Sequence, residues 1–464
     1  MTIELGISTF GETTLLESTG KAISHDQRIR ELVEEIELAD QVGLDIYAIG
    51  EHHREDFAVS APEIVLAAGA VNTKKIRLSS AVTILSSIDP VRVYQQYATI
   101  DALSNGRAEI MAGRGSFVES FPLFGYDLSD YDELFNEKLD MLLEVKKQTN
   151  LTWQGKHTQS VDNRPVYPRA VQEDFPVWVA TGGHIESTIQ IAEKGLPIAY
   201  ATIGGNPKAF AKLVEVYKEI GARNGYSDEQ LKVAAHSWGW IEENNFQAIE
   251  NYFYPTKQTV DNIAKDRPHW SEMTKEQYYA SVGPNGAMFV GDPAHVAQKI
   301  IRIIEDLQLD RFMLHLPIGS MPHEAVLKAI KLYGEEVAPI VRRYFENKGY
   351  TVVYTDAKNS NNLNKVIDKA KEELAEKIAR QVAKGIKPRA IRSMVIGVPN
   401  VGKSTFINKL IKKNVANTAN KPGVTKKQQW LKLNKDIELL DTPGILMPKF
   451  DNQEIGKKLS LIGS

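Results

Sequence analysis

Along residues 1 to about 345, short apolar runs alternate with stretches whose apolar positions recur at helical spacing. Strand-like runs fall near 4–8, 45–50, 76–83, 107–111, 177–181, 197–201, 232–240 and 311–316. The helix between the first two is well marked. Ser24 and Gln27 have capping-box spacing, Ile29, Leu32, Val33, Ile36 and Ala39 line one face, and Gly43 ends it. Similar patterns cover 90–104, 130–148, 184–194, 207–223 and 322–342. Eight strand–helix repeats in this length predict an α/β fold, a (β/α)₈ TIM barrel, whereas fewer true strands would give a doubly wound sheet. The stretches 115–175 and 241–290 do not fit the repeat. They are expected to be insertions at the C-terminal face, where barrels build their sites.

Beyond about 345 the pattern changes. Leu363, Val366, Ile367, Ala370, Leu374, Ile378 and Val382 mark one amphipathic helix that ends near Gly385. A strand from Ser393 to Gly397 then runs into a glycine-rich loop. We therefore expect two domains, 1–345 and 346–464. Charge follows the same division: residues 347–464 hold 23 Lys+Arg against 10 Asp+Glu (+13), and the remainder 33 against 49 (−16). That pairs an acidic, enzyme-like body with a basic tail suited to nucleic acid, or with no more than a solvated lysine-rich surface. The absence of cysteine excludes disulfides, thiolate metal sites and cysteine nucleophiles. Neither a signal pattern nor an apolar run of membrane-spanning length is present, so a cytoplasmic protein with no membrane partner is expected.

Candidate chemistry gathers at the predicted strand ends. Strand two ends in Gly50-Glu51-His52-His53, which aims imidazoles at the barrel mouth as candidate bases, or merely as hydrogen-bonding loop residues. A zinc site is disfavoured, because no third ligand stands at a recognisable spacing. Small residues around Ser79, Ser80 and Ala81 on strand three leave room for a flat ring, or simply pack tightly. Strand four leads into Gly113-Arg114-Gly115, where a guanidinium between glycines suits a phosphate. Strand five continues through Thr181-Gly182-Gly183-His184 into a helix whose free N–H groups favour the same anion. With all four features on one face, a mononucleotide can be held with its phosphate on Arg114 and the Gly182-Gly183 turn.

Several strings carry a family resemblance: Glu51-His52-His53, Asp89-Pro90-Val91-Arg92, Asp101 to Arg107, and Val177 to Gly183. In this order they resemble the luciferase-like flavin monooxygenases over about 1–345. The resemblance implies a reduced FMN delivered by a separate reductase, O₂ as co-substrate, a small organic substrate and often a homodimer. Members using a deazaflavin share the fold. On this resemblance His52 is the active-site histidine, and Ser80 and Ala81 form the ledge for the isoalloxazine, often through a non-proline cis peptide. Arg114 and Gly182-Gly183 hold the phosphate. The family's reactive cysteine is replaced by Gly113, which excludes any thiol-dependent step. Phe117, Phe121, Phe124 and Tyr126 are expected to supply substrate walls.

In the tail, Gly397-Val398-Pro399-Asn400-Val401-Gly402-Lys403-Ser404-Thr405 is a phosphate-binding loop. Its N–H groups and Lys403 hold phosphate, and Ser404 can hold Mg²⁺. Thr425 is placed as a second Mg²⁺ ligand, and Asp441-Thr442-Pro443-Gly444 follows a strand, Ile437 to Leu440, where the carboxylate can reach the metal through water and Gly444 the nucleotide. The segment resembles the circularly permuted ribosome-biogenesis GTPase A family, which implies GTP and a ribosomal partner. No NKxD string of the right length precedes the loop, and the chain stops at Ser464 without that family's RNA-binding domain. An incomplete GTPase is therefore expected. The alternative function is a GTP-binding ribosome-assembly factor with the barrel as passenger.

Overall fold

The computed structural model describes residues 3–115, 117–266 and 270–345, with the backbone of 391–395, 429–432 and 437–441. The chain divides into two compact units, Met1–Glu346 and Asn347–Ser464. Asn400, Val401, Gly402, Lys403, Ser404, Thr405, Thr425 and Gly444 lie outside the described residues, as does the predicted helix beginning at Leu363.

In the first unit, eight strands run parallel and close on themselves. They are β1 (Glu4–Thr9), β2 (Ile46–Ile49), β3 (Arg77–Ser80), β4 (Ala108–Gly113), β5 (Val177–Thr181), β6 (Ile198–Ala201), β7 (Val233–Ile241) and β8 (Arg311–His315). Each pairs with the next, and β8 returns to β1 through Glu4↔Arg311 and Ser8↔His315. The helices that follow them are α1 (His25–Gln41), α2 (Pro62–Asn72), α3 (Pro90–Ser104), α4 (Tyr131–Lys147), α5 (Ile185–Glu193), α6 (Ala211–Arg223), α7 (Pro293–Leu307) and α8 (His323–Leu332). This is the expected TIM barrel, and all eight sequence-read strands take part in it.

Alternation along each strand sets the layers. Leu5, Ile7, Tyr47 and Ile49 face the helix ring and join the large core cluster. Ile46, Ala48 and Met313 fill the interior with Ala81, while Met111, Trp178, Ala199 and Ala234 fill it on another side. Near the N-terminal end of the barrel, Arg311 donates to Glu109 (2.5 and 3.1 Å) and Glu4 (2.8 Å) and lies 4.2 Å from the Trp178 ring centroid.

Three local expectations are corrected. The Ser24 hydroxyl does cap α1 through the Gln27 N–H, but the Gln27 amide turns to Glu31 (2.9 Å) and leaves the box half made. Strand three is interrupted: β3 stops at Ser80, and pairing to β4 resumes only at Thr83 and Ile84. The 115–175 stretch is not one insertion at the mouth. It contains the barrel helix α4, and an antiparallel hairpin, Asn150–Trp153 with Val161–Pro165, opens the segment beyond α4. That segment ties α3 to α4 from outside: the Gln95 amide donates to Tyr167 O and the Arg169 guanidinium to Val145 O. The 241–290 stretch adds helices Asn245–Asn251, Phe253–Asp266 and Lys275–Val282.

In the second unit, the strand Ile391–Val395 pairs in parallel with Ile437–Asp441, which pairs antiparallel with Gln429–Lys432. The two strands read from the sequence around the phosphate loop and the Asp441 motif are thus neighbours in one sheet. Among the described residues, no helix is long and apolar enough to cross a membrane.

Candidate active site

At the C-terminal ends of the barrel strands lies a cavity of about 800 Å³. Its walls include His52 after β2, Ala81 after β3, Arg114 after β4 and Gly182 after β5. Four features separated by up to 130 positions of sequence therefore meet in one space. Their convergence follows from parallel strands, because every strand end faces the same rim.

At one end of this space the Arg114 guanidinium sits over the Phe135 ring at 4.2 Å, with Nη2 3.5 Å from Gln190 of α5. Its Nε lies 3.3 Å from Asp132 yet is shielded from water and makes no hydrogen bond. Burial depresses the guanidinium pKa, Asp132 partly opposing it, though an arginine stays a cation. Asp132 itself is largely exposed and can swing into solvent. Beside Arg114, α5 begins at Ile185 with no side-chain cap on its free N–H groups. A methyl group at Gly182 would meet open space, so the backbone there is bare towards the cavity. Gly183 has φ +100°, a conformation that L side chains avoid, and Phe210 stands 2.8 Å from where a Cβ would be. A guanidinium on the cavity wall, an exposed helix start and a bare turn together fit a phosphate.

Ser80 does not line this space. Its hydroxyl accepts from Met111 N–H (2.9 Å) and donates to Met111 O (3.0 Å), filling the gap where the β3 ladder is interrupted. Ala81 does line the cavity, and the Ala81–Val82 peptide is cis. Of the four aromatic residues expected as walls, Phe117 reaches the cavity. Phe121 stacks on Tyr131 (5.5 Å), Phe124 meets His53 (5.1 Å), and Tyr126 receives the Lys138 ammonium (3.9 Å).

At the other end His52 is packed against Phe10, Phe57 and Phe117, with ring centroids 4.4 to 4.7 Å away. Its Nδ1 is 3.2 Å from the Glu119 carboxylate. A carboxylate only accepts, so Nδ1 donates to it, and in the neutral imidazole Nε2 is the acceptor nitrogen. Burial opposes ionisation of Glu119, but the hydrogen bonds from His52 and from the His53 N–H prevail and hold its carboxyl below the ordinary range. Glu51 is engaged by His53 (3.2 Å) and by the Ile84 N–H (3.1 Å).

Sequence reading missed a second imidazole–carboxylate pair. His315, at the end of β8, donates from Nε2 to Glu12 (2.7 Å), and its Nδ1 accepts from Ser8 (3.3 Å). Phe10 lies between the two histidines, 4.6 Å from His52 and 4.4 Å from His315. His236 on β7 was missed as well: its Nε2 is shielded and has no hydrogen-bond partner. Burial, helped by Arg311 and His315, pushes that imidazole down to about 3, so it is neutral near pH 7. Strand-end position was the available signal, since His315 and His236 lie on runs already read as barrel strands. Among the described residues, no group of three or more His, Asp or Glu side chains could hold a metal ion.

Comparison with known proteins bears on the same geometry. The family described as luciferase-like monooxygenase matches residues 3–311. The chain belongs to this family. Its barrel resembles the oxygenating constituent of 3,6-diketocamphane monooxygenase from Pseudomonas putida, a structure in complex with FMN: 18% identity, TM-score 0.58, covering 73% of this chain and 99% of that one. It also resembles the coenzyme F420 dependent tetrahydromethanopterin reductase from Methanopyrus kandleri (20% identity, TM-score 0.56, 73% and 99% covered). At these identities the likeness concerns the fold. The description 50S ribosome-binding GTPase matches residues 392–462, so this luciferase-like chain carries a GTPase domain in its C-terminal part. That part is 50% identical over 121 residues to ribosome biogenesis GTPase A from Bacillus pumilus. The match covers 26% of this chain, and the chain spans 43% of that relative's length.

Proposed function

We propose that the barrel is an FMN-dependent monooxygenase that oxidises a small organic substrate with O₂. The observation that supports this most directly is that Arg114, the Gly182 turn and His52 share one cavity of about 800 Å³. In this reading Arg114 and the first turn of α5 hold the phosphate, and Ala81 lies against the flavin ring. Bound reduced FMN, delivered by a separate reductase, supplies the electrons for oxygen activation. The protein's own share is positional and protonic. Phe10, Phe57 and Phe117 keep water from His52, and Glu119 fixes that ring so that Nε2 can take or return a proton at the substrate. We take the setting to be cytoplasmic and the working form to be a homodimer.

Titration of the purified protein with FMN, reduced FMN and a deazaflavin tests the assignment. FMN is expected to bind, and Arg114→Ala to weaken it by about 1–3 kcal/mol through loss of a charged contact. Equal affinity in wild type and mutant would remove the phosphate assignment, and preference for the deazaflavin would change the cofactor. His52→Asn is expected to slow substrate-dependent oxidation by about 10²-fold or more with FMN affinity retained.

The 50% identity to a GTPase relative supports a second reading for the tail. There Asn400, Val401, Gly402, Lys403, Ser404, Thr405 and Gly444 bind a guanine nucleotide with Mg²⁺ on Ser404 and Thr425, and the basic surface meets rRNA. Co-sedimentation with large ribosomal subunits that requires GTP and is lost in Lys403→Ala would bear this out. GTP-independent sedimentation would not.

A further inference from the structure

Two carboxylates share the phosphate end of the cavity with Arg114, which is the single Lys or Arg among the described lining residues. They are Glu186, in the first turn of α5, and Asp132, in the first turn of α4. An end shaped only to grip an anion would hold no negative charge, since each like charge opposes the ligand's entry. Of the two, Asp132 is the one tied to the cation. Its Oδ1 lies 3.3 Å from Arg114 Nε, the only ion pair of that guanidinium among the described residues. The Phe135 ring and the Gln190 side chain, which also lie against Arg114, are neutral.

The two partners are held very differently. The Arg114 side chain is packed into the wall and 15% exposed, whereas that of Asp132 is 79% exposed. The start of α4 is anchored, because the Tyr131 hydroxyl donates to Gly115 O (2.7 Å), one residue beyond Arg114. The Asp132 backbone therefore stays beside the arginine, and its side chain has room to turn outward. Turning costs little. An ion pair with one partner in solvent contributes weakly, and in the first turn of α4 the carboxylate keeps the favourable field of the helix end. Arg114 is the partner that needs the contact: burial works against its charge, and Asp132 is the first group to oppose that effect. A carboxylate offers a guanidinium the same pair of oxygens that a phosphate would.

We propose that Asp132 stands in for the cofactor phosphate: it is the counter-ion of Arg114 before a flavin arrives, it yields that place when the phosphate enters, and it keeps the flavin exchangeable by weakening its hold. The proposal rests on the phosphate reading of Arg114 and suits a cofactor that arrives reduced and leaves oxidised. Fluorescence titrations of the full chain with FMN, and with riboflavin, which lacks the phosphate, test it. Asp132→Asn is expected to tighten FMN about fivefold, the effect of one screened like charge near 4 Å, and to leave riboflavin within about twofold. Asp132→Glu keeps the charge and should stay near wild type. So should Asp174→Asn, which removes an exposed charge paired with Lys146 in the last turn of α4, about 20 Å along the helix. Should Asp132→Asn shift the thermal midpoint, Asp132→Ser serves in its place with the same expectation. FMN affinity that is unchanged in the neutral variant overturns the proposal. A lowered affinity does so too, by making Asp132 a residue that orients Arg114. Equal tightening of riboflavin is the third contrary result, because the effect would not run through the phosphate. Arg114→Ala separates the two ideas. If it weakens FMN while Asp132→Asn tightens nothing, only this inference falls. If it leaves FMN untouched, or if no flavin binds, the phosphate reading falls and takes this inference with it.

Discussion

The floor and the mouth of the barrel are made by the same three strands. Glu4, Glu109 and Arg311 belong to the floor, and Ser8, Gly113 and His315 stand four residues further along β1, β4 and β8. About 13 Å of strand separates the layers, and they treat charge in opposite ways. At the floor Arg311 is enclosed, and the Glu109 and Glu4 carboxylates outweigh the burial that opposes its charge. Its guanidinium nitrogens donate to these two carboxylates, and its face is covered by Trp178. Beyond the mouth layer Arg114 keeps a shielded Nε that makes no hydrogen bond, 3.3 Å from Asp132, and between the layers His236, level with Met313, has an unpartnered Nε2. A satisfied buried network offers nothing to a ligand, whereas an unsatisfied one is a place where binding recovers free energy.

The comparison can be broken most forcefully at the floor. Arg311→Met strands the buried Glu109 carboxylate, with the partly exposed Glu4 beside it, and is expected to cost about 3–5 kcal/mol in urea unfolding. A loss below about 1 kcal/mol would mean that the network is not structural. Next comes the glycine pair at the mouth. Gly183→Ala forces a methyl group into a positive-φ position against Phe210 and should cost about 1–3 kcal/mol. Gly182→Ala, with open space around it, should change stability by less than about 0.5 kcal/mol while weakening FMN. Equal destabilisation by both would dissolve the distinction between a strained and a bare turn.

The smallest effect belongs to a partly exposed site at the start of α8. Glu35, 3.7 Å from His323 Nδ1 and so at ion-pair rather than hydrogen-bond distance, raises the imidazole pKa. Burial opposes it, and Glu34 (2.9 Å) adds to the rise, giving about 9 against an ordinary 6.5. The protonated form is favoured by folding, so this stabilisation is complete below pH 6.5 and disappears as pH rises through 9. Because solvent reaches the pair, less than about 1 kcal/mol should be involved. His323→Gln is expected to flatten the decline of the thermal midpoint between pH 7 and 10. An unchanged slope would show that His323 is not its source.

Much of the barrel was legible because its signals are local. Each strand announces itself within five to nine residues, and Gly113-Arg114 and Gly182-Gly183 are contiguous strings at strand ends. Ser80 misled for a physical reason. Whether a small residue faces a ligand or repairs a broken ladder depends on its neighbour strand, and here the Met111 backbone took its hydroxyl. The aromatic residues after β4 misled similarly, since Tyr131, His53 and Lys138 claimed three of the four.

By itself the chain order determined the eight-fold repeat, the strand-end positions of Arg114 and Gly182, and the division between an acidic body and a basic tail. Closure of the barrel decided the rest. Glu12 with His315 is a pair 303 residues apart, Glu119 with His52 a pair 67 apart, and the His236 Nε2 found no hydrogen-bond partner. Such pairings depend on which strands become neighbours when the sheet closes, a constraint that acts in space and leaves no mark on adjacent positions of the sequence.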